Sequence, residues 1–288
     1  MTKGTILVTG AEGFIGRHLC HELERQGHCI HRFSRRDDVT RFPLSCPNLA
    51  HVFHLAARTF VPHSWDTPWP FYQTNVLGTV NALELCRRHG APLTLVSSYL
   101  YGAPHSLPVS ETHPLDAFNP YGHSKLLAEQ TAHFYAQHFN IQVAIIRPFN
   151  IYGPGQADRF LIPMLLQQAL DPEKIEFRVA DSRPKRDYLH VDDLIALLLA
   201  CYKRGAQGVF NAGSGHSTSV SELVDLLNTL TPRPKPLVTE NRQRPNEVLD
   251  VVADISKARR ELAWHPRVPL GEGIARMLVG LQAERGGR

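Results

Sequence analysis

At 288 residues the chain is long enough to bury a sizeable core, as one large domain or two coupled ones. Hydrophobic residues make up 43% and charged residues 20%, the balance of an ordinary globular protein. The formal charge of +4 is mild, and no Lys/Arg run or aromatic-basic interleaving marks a nucleic-acid surface; the excess would suit an anionic small ligand.

The first half alternates strand and helix. TILVTG is a short apolar run ending at Gly10, which predicts a buried strand. FIGRHLCHELERQG follows, with Phe14, Ile15, Leu19 and Leu23 at helical spacing and Gly27 as its stop. HCIHRFS predicts the next strand. The connection from Ser34 to His51 is short, and DDVTRFP leaves little room for the helix and strand a doubly wound half normally adds there. HVFHLAA (51–57), LTLVSS (93–98) and QVAIIRP (142–148) predict further strands, with helices at about 74–89 and 121–139 between them. The alternation predicts an α/β fold, a Rossmann-type doubly wound parallel sheet with helices on both faces. Residues 1–150 are expected to form its dinucleotide-binding domain.

After Arg147 prolines recur, and residues 151–288 read mainly as a smaller, loop-rich substrate-binding region across the sheet's C-terminal edge. About 187–213 is expected to return to the Rossmann domain. There LIALLLACY (194–202) follows HVDD; acids at a helix start and a run too short to span a bilayer predict a buried helix. The terminal RGGR reads as frayed. No leader-like charged and apolar stretch precedes the first strand, so no secretory signal is expected. Five cysteines without C-x-x-C fit reduced, mostly buried thiols in a cytoplasmic enzyme. Of sixteen histidines, neither His18/His21 nor His28/His31 has the partners of a complete metal set, so no metal site is expected.

Three patterns carry chemistry. TGAEGFIG places Gly10, Gly13 and Gly16 at a strand-to-helix turn, where backbone can approach a pyrophosphate held at the helix N-terminus. At the end of the second strand, where an NAD-binding chain would place an acid, stand Ser34, Arg35 and Arg36. A hydroxyl and guanidiniums suit a 2′-phosphate, which favours NADP(H); Asp37 and Asp38 follow closely and keep NAD(H) possible. Tyr121 and Lys125 lie on one face of a helix, and an ammonium there would lower the tyrosine's pKa and ready it for proton exchange. Ser97, at a strand end upstream, can bond the same oxygen.

Together these residues resemble the extended short-chain dehydrogenase/reductases that act on nucleotide-diphospho-sugars. The blocks TGAEGFIG, HLAA, TNVLGT, VSSYLYG, NPYGHSK, RPFNIYGPGQ, RDYLHVDD, FNAGSG and RPNEVLDVVADISKARRELAW stand in family order along nearly the whole chain. The resemblance implies Ser97, Tyr121 and Lys125 as catalytic. It implies cofactor contacts from Gly10, Gly13, Phe14, Ile15, Gly16, Leu55, Ala56, Ala57, Asn75 and Pro148, besides Ser34, Arg35, Arg36, Tyr121 and Lys125. Asn150, Arg186 and Arg244 are implied on the substrate diphosphate, and Thr59, Ser98, Tyr99 and Arg159 are candidate sugar contacts. A homodimer through the helices at about 74–89 and 121–139 is implied too, with neither nucleic acid nor membrane as partner.

The residues after Ser97 narrow the reaction. Sugar 4,6-dehydratases carry an Asp-Glu pair there and 3,5-epimerase-reductases a Cys at the second place; here stand Ser98 and Tyr99. What remains is hydride transfer plus one proton at one carbinol. Reduction of a dTDP- or GDP-linked 4-keto-6-deoxy-hexose by NAD(P)H is the favoured expectation. A UDP-hexose 4-epimerase with bound NAD is the alternative, and a non-catalytic dinucleotide-binding protein a remote one.

Overall fold

The computed structural model describes residues 4–34, 37–41, 46–242 and 247–286. β1 (Thr5–Thr9) leads into α1 (Phe14–Arg25) and β2 (Ile30–Phe33), then β3 (Leu49–His54). Two short helices, α2 (Val61–Asp66) and α3 (Trp69–Tyr72), precede a π-helical turn (Gln73–Leu77) that runs into α4 (Gly78–His89). β4 (Leu93–Val96), α5 (Pro120–Phe139) and β5 (Val143–Pro148) follow. The six-stranded sheet has the order β2-β1-β3-β4-β5-β9, where β9 is Gly208–Ala212, and its pairings are all parallel. The expected α/β Rossmann-type sheet is therefore present.

The order reverses between β1 and β3, and the crevice opens above their C-terminal ends. No helix or strand separates β2 from β3 among the described residues, as the short connection implied, and β2 is an edge strand. The helices form for local reasons. α1 buries Gly16, Leu19, Cys20 and Leu23 as one stripe. α5 is capped by Asn119, whose side chain accepts from Gly122 N at 2.8 Å, with Pro120 in its first turn. α7 (Val191–Arg204) carries Asp192 and Asp193 in its first turn and Lys203 and Arg204 in its last.

One apolar core lies between the sheet and α1, α7 and α9 (Ser256–Leu262); a second lies on the face covered by α4 and α5. A third joins α6 (Leu161–Leu170), α8 (Val220–Leu230) and α10 (Leu270–Gly286). Small sheets accompany this third core: β10-β8-β6 (Ser217–Ser219, Lys185–His190, Asn150–Tyr152) and β11-β7 (Leu237–Thr239, Phe177–Val179). Asp187 of β8 is fully buried and holds the joints between strands. It accepts from Ser214 N at 2.5 Å, Ser214 Oγ at 2.7 Å, and Gly215 N and Ala253 N at 3.0 Å. All five cysteines are free thiols, four buried and Cys29 exposed. No helix among the described residues is long and apolar enough to cross a membrane.

Two histidines on β3 give the fold an acid sensitivity. Burial holds His51 and His54 at about 3, against an ordinary 6.5, with the Lys125 charge adding to the shift at His54. Unfolding releases both, so between pH 6.5 and 3 the unfolded chain binds more protons. This contribution is whole above 6.5 and falls as pH drops, by about 1.4 kcal/mol per pH unit for each histidine. The thermal midpoint is expected to fall on acidification below that value, and His51→Gln to weaken the dependence. A midpoint level across mildly acid pH would contradict neutral buried histidines.

Candidate active site

The loop after β1 is shaped by what a side chain would strike. Gly10 has φ +67°, and a Cβ on it would lie 2.9 Å from Ala56 N, so the loops after β1 and β3 touch. Thr9 Oγ1 accepts from Leu55 N and Ala56 N, both at 3.1 Å, and its remaining proton faces His54 Nδ1 at 2.8 Å. Gly13 caps α1 with no side-chain bond, and no acid occupies the first turn. The first helical bond runs from Arg17 N to Gly13 O, so the N–H groups of Phe14, Ile15 and Gly16 open the helix toward the crevice. Positive backbone dipoles, no acid in the first turn and glycines at the close approaches fit a dinucleotide pyrophosphate.

At the end of β2 the Asp37 carboxylate turns back and accepts from Ser34 N at 2.7 Å and Ser34 Oγ at 3.0 Å. An acid thus stands where an adenosine ribose would lie. Arg35 and Arg36 are outside the described residues.

The triad meets at the C-terminal end of β4. Ser97 N donates to Ile146 O at 2.7 Å, which fixes the strand end, and the buried Ser97 Oγ has no protein partner. Lys125 is buried and its Nζ donates to Val96 O at 2.7 Å. Tyr121 has the Ser98 hydroxyl as its polar neighbour. The helix residues therefore bracket Ser97, one gripping the residue before it and the other lying beside the residue after. Burial lowers Lys125 to about 8, against a partial restoring effect of Glu129. Burial raises Tyr121, and the neighbouring Ser98 hydroxyl offsets this in part. The expected lowering of the tyrosine by its neighbouring lysine is corrected here: desolvation dominates, and without a further positive charge beside it the phenol stays protonated near neutral pH.

Asn75 lies on the π-helical turn, a form frequent at functional sites. Its Oδ1 accepts from Arg58 N at 2.9 Å, and its Nδ2 donates to Arg58 O at 3.1 Å and Ser124 Oγ at 2.8 Å. It staples the loop after β3 to α5 with both amide hydrogens and one lone pair of its oxygen. Pro148 is buried at the end of β5, and Leu55, Ala56 and Ala57 are partly buried at the crevice.

A model of the NAD dependent epimerase/dehydratase family matches residues 6–213. The chain belongs to that family. The UDP-glucose 4-epimerase of Halalkalibacterium halodurans is 30% identical, over 92% of this chain and 91% of its own. The solved UDP-glucose 4-epimerase of Thermotoga maritima, with UDP-glucose, is 27% identical with TM-score 0.91, covering 98% of this chain and 99% of its own. UDP-glucuronic acid 4-epimerase of Bacillus cereus, solved with UDP-glucuronic acid and NAD, is 27% identical with TM-score 0.87, covering 97% and 99%. This chain is thus an enzyme of the nucleotide-sugar epimerase/dehydratase family with an NAD(P) dinucleotide as cofactor.

On the sugar side of this family enzyme several sequence-named residues are already engaged. Asn150 Nδ2 donates to Asp187 O at 3.3 Å. Arg186 donates through Nη1 to Lys185 O and Val248 O, at 2.8 and 2.7 Å, and through Nη2 to Glu247. Tyr99 donates to Gly102 O at 2.7 Å, and burial pushes its phenol up to about 12. Thr59 is exposed on the loop after β3; Arg159 is exposed too, and its guanidinium stacks over Phe60 at 5.2 Å, bridging that loop and the one after β6. Arg244 is outside the described residues. Glu247 stands in the RPNEVLD block and Phe60 shortly after HLAA, but nothing local singles either out, because each acts through a partner remote in the chain.

Proposed function

We propose that this enzyme is a UDP-hexose 4-epimerase that retains NAD through each turnover, with UDP-glucose and UDP-galactose as its substrate pair. The observation that carries the reading is the chemistry beside Ser97. The Ser98 hydroxyl is too weak an acid and base to carry the proton and the Tyr99 hydroxyl is spent on Gly102 O, so Tyr121 is the proton-transfer group at this end of the sheet. One proton carrier supports reaction at one carbinol and no elimination or decarboxylation. The names of the relatives support the epimerase over the 4-keto-6-deoxy-hexose reductase. The Asp37 carboxylate supports NAD over NADPH, since it would accept from a free ribose diol and repel a 2′-phosphate.

Bound NAD would supply the acceptor and donor of a hydride for C4 of the sugar. With the positive charge of oxidised NAD in the site the Tyr121 phenol would ionise, and as the phenolate it would accept the proton of the 4-hydroxyl and later give it back to the same oxygen. Ser97 Oγ, buried and unpartnered at the strand end, donates to that oxygen and fixes its distance from Tyr121. Inversion at C4 requires the hexose to present its other face. Arg186, anchored by two carbonyls and Glu247, retains the diphosphate while the hexose turns. A homodimer through α4 and α5 belongs to the same reading, supported by exposed Leu77, Phe134 and Phe139 along that helix pair. Incubation of the purified enzyme with UDP-glucose alone is expected to yield UDP-galactose, and denaturation to release NAD. Stoichiometric oxidation of added NADPH by a 4-keto-6-deoxy-hexose nucleotide, with no UDP-galactose formed, would overturn the proposal.

A further inference from the structure

Behind the triad lies a charged pair that the chemistry above does not use. Glu129 stands one turn after Lys125 on α5, and its side chain is 2% exposed. Arg147 of β5, 5% exposed, grips it with three contacts: Nε to Oε1 and Oε2 at 3.1 Å each and Nη2 to Oε2 at 2.6 Å. Arg147 Nη1 donates onward to Tyr101 Oη at 3.0 Å and Glu111 O at 3.2 Å. Tyr101 Oη donates to Asn211 Oδ1 at 2.6 Å. A buried ion pair seldom stabilises a fold more than a well-packed apolar pair of the same volume. Stability therefore gives no sufficient reason for a pair at this position.

We propose that Glu129, held rigid by Arg147, is a positioning residue that supplies the counter-charge for the Lys125 ammonium. The groups facing Lys125 point to this role. From β3 comes His54, neutral, whose Nδ1 accepts from Thr9 and whose Nε2 has no protein partner. From β4 comes only the Val96 carbonyl. From the π-helical turn Asn75 reaches Ser124, not the lysine. From α5 itself come Tyr121, a protonated phenol, and Glu129. Glu129 is the carboxylate among them, and its charge works against the desolvation of Lys125. Arg147 fixes that carboxylate in place through its three contacts.

The inference rests on the reading of Tyr121 and Lys125 as the reacting pair, and the test separates the two. Glu129→Gln and the double change Glu129→Met with Arg147→Met are compared with wild type and with Glu129→Asp. The double change removes both charges without stranding either, so a folding failure of the single variant leaves it as the measurement. Loss of a carboxylate one helical turn away is expected to bring the alkaline limb of kcat/KM down by about one pH unit. The titration of the Lys125 ammonium itself, followed by NMR of labelled lysine with Lys125→Met as the assignment control and needing no substrate, is expected to move to lower pH by the same amount. Glu129→Asp is expected to keep the wild-type profile. An unmoved alkaline limb and an unmoved Lys125 titration in a folded variant would make Glu129 a structural residue and overturn the proposal. An active Tyr121→Phe enzyme would instead remove the catalytic reading.

Discussion

Tyr121→Phe is expected to lower kcat about a thousandfold while leaving KM and the thermal midpoint close to wild type. The change removes one hydroxyl from a ring that still packs at the site, edge-on to Phe71 at 6.4 Å. Its polar neighbour Ser98 is only partly buried, so water can satisfy that hydroxyl. No neighbour can replace the proton carrier. Tyr99 points to Gly102 O with its phenol at about 12, and the Ser97 hydroxyl is far too weak an acid. The buried Lys125 ammonium is turned to Val96 O. Steady-state kinetics with UDP-glucose decides the matter. Activity within about tenfold of wild type would show that the proton passes elsewhere, since general acid–base catalysis contributes at least about a hundredfold.

Gly16→Ala is expected to abolish NAD retention and to destabilise the chain by about 3 kcal/mol. A Cβ there would sit 2.1 Å from Gly10 O, 2.8 Å from Ala11 Cα and 2.9 Å from Ala11 C. All three obstacles are backbone, so no rotamer change relieves them. The loop itself must move, and Gly10 is already wedged against Ala56 N. The same atoms form the pyrophosphate cradle, so stability and cofactor binding fall together. Thermal unfolding and measurement of dinucleotide released on denaturation test both effects. A variant with wild-type midpoint and full NAD content would show that the turn is looser than its contacts imply.

The parts of this account legible in the sequence are those fixed by local spacing. Three glycines at a strand-to-helix turn define the loop after β1. The four-residue interval of Tyr121 and Lys125 puts both on one face of α5. The stretch after Ser34 is too short for a further helix and strand, and none separates β2 from β3 among the described residues. What the sequence hid depends on partners remote in the chain. Arg186 has its charge met by Glu247, and no local pattern links those two positions. Asn75 carries a recognisable block, but its amide turns to Arg58 and Ser124 once the π-helical turn sets its direction. Lys125 was read as the charge that activates Tyr121, whereas burial of both reverses the shift on the phenol. Strands of three residues, such as β7 and β11, are too short for periodicity to reveal.

The central claim is that hydride leaves and returns to the same sugar without the cofactor leaving the enzyme. UDP-glucose deuterated at C4 tests it directly, in the presence of excess unlabelled NADH and NADPH. The account predicts UDP-galactose that retains the deuterium at C4 and no label in the added coenzymes. Label lost to the coenzymes, or no UDP-galactose while a 4-keto sugar consumes NADPH, would contradict it.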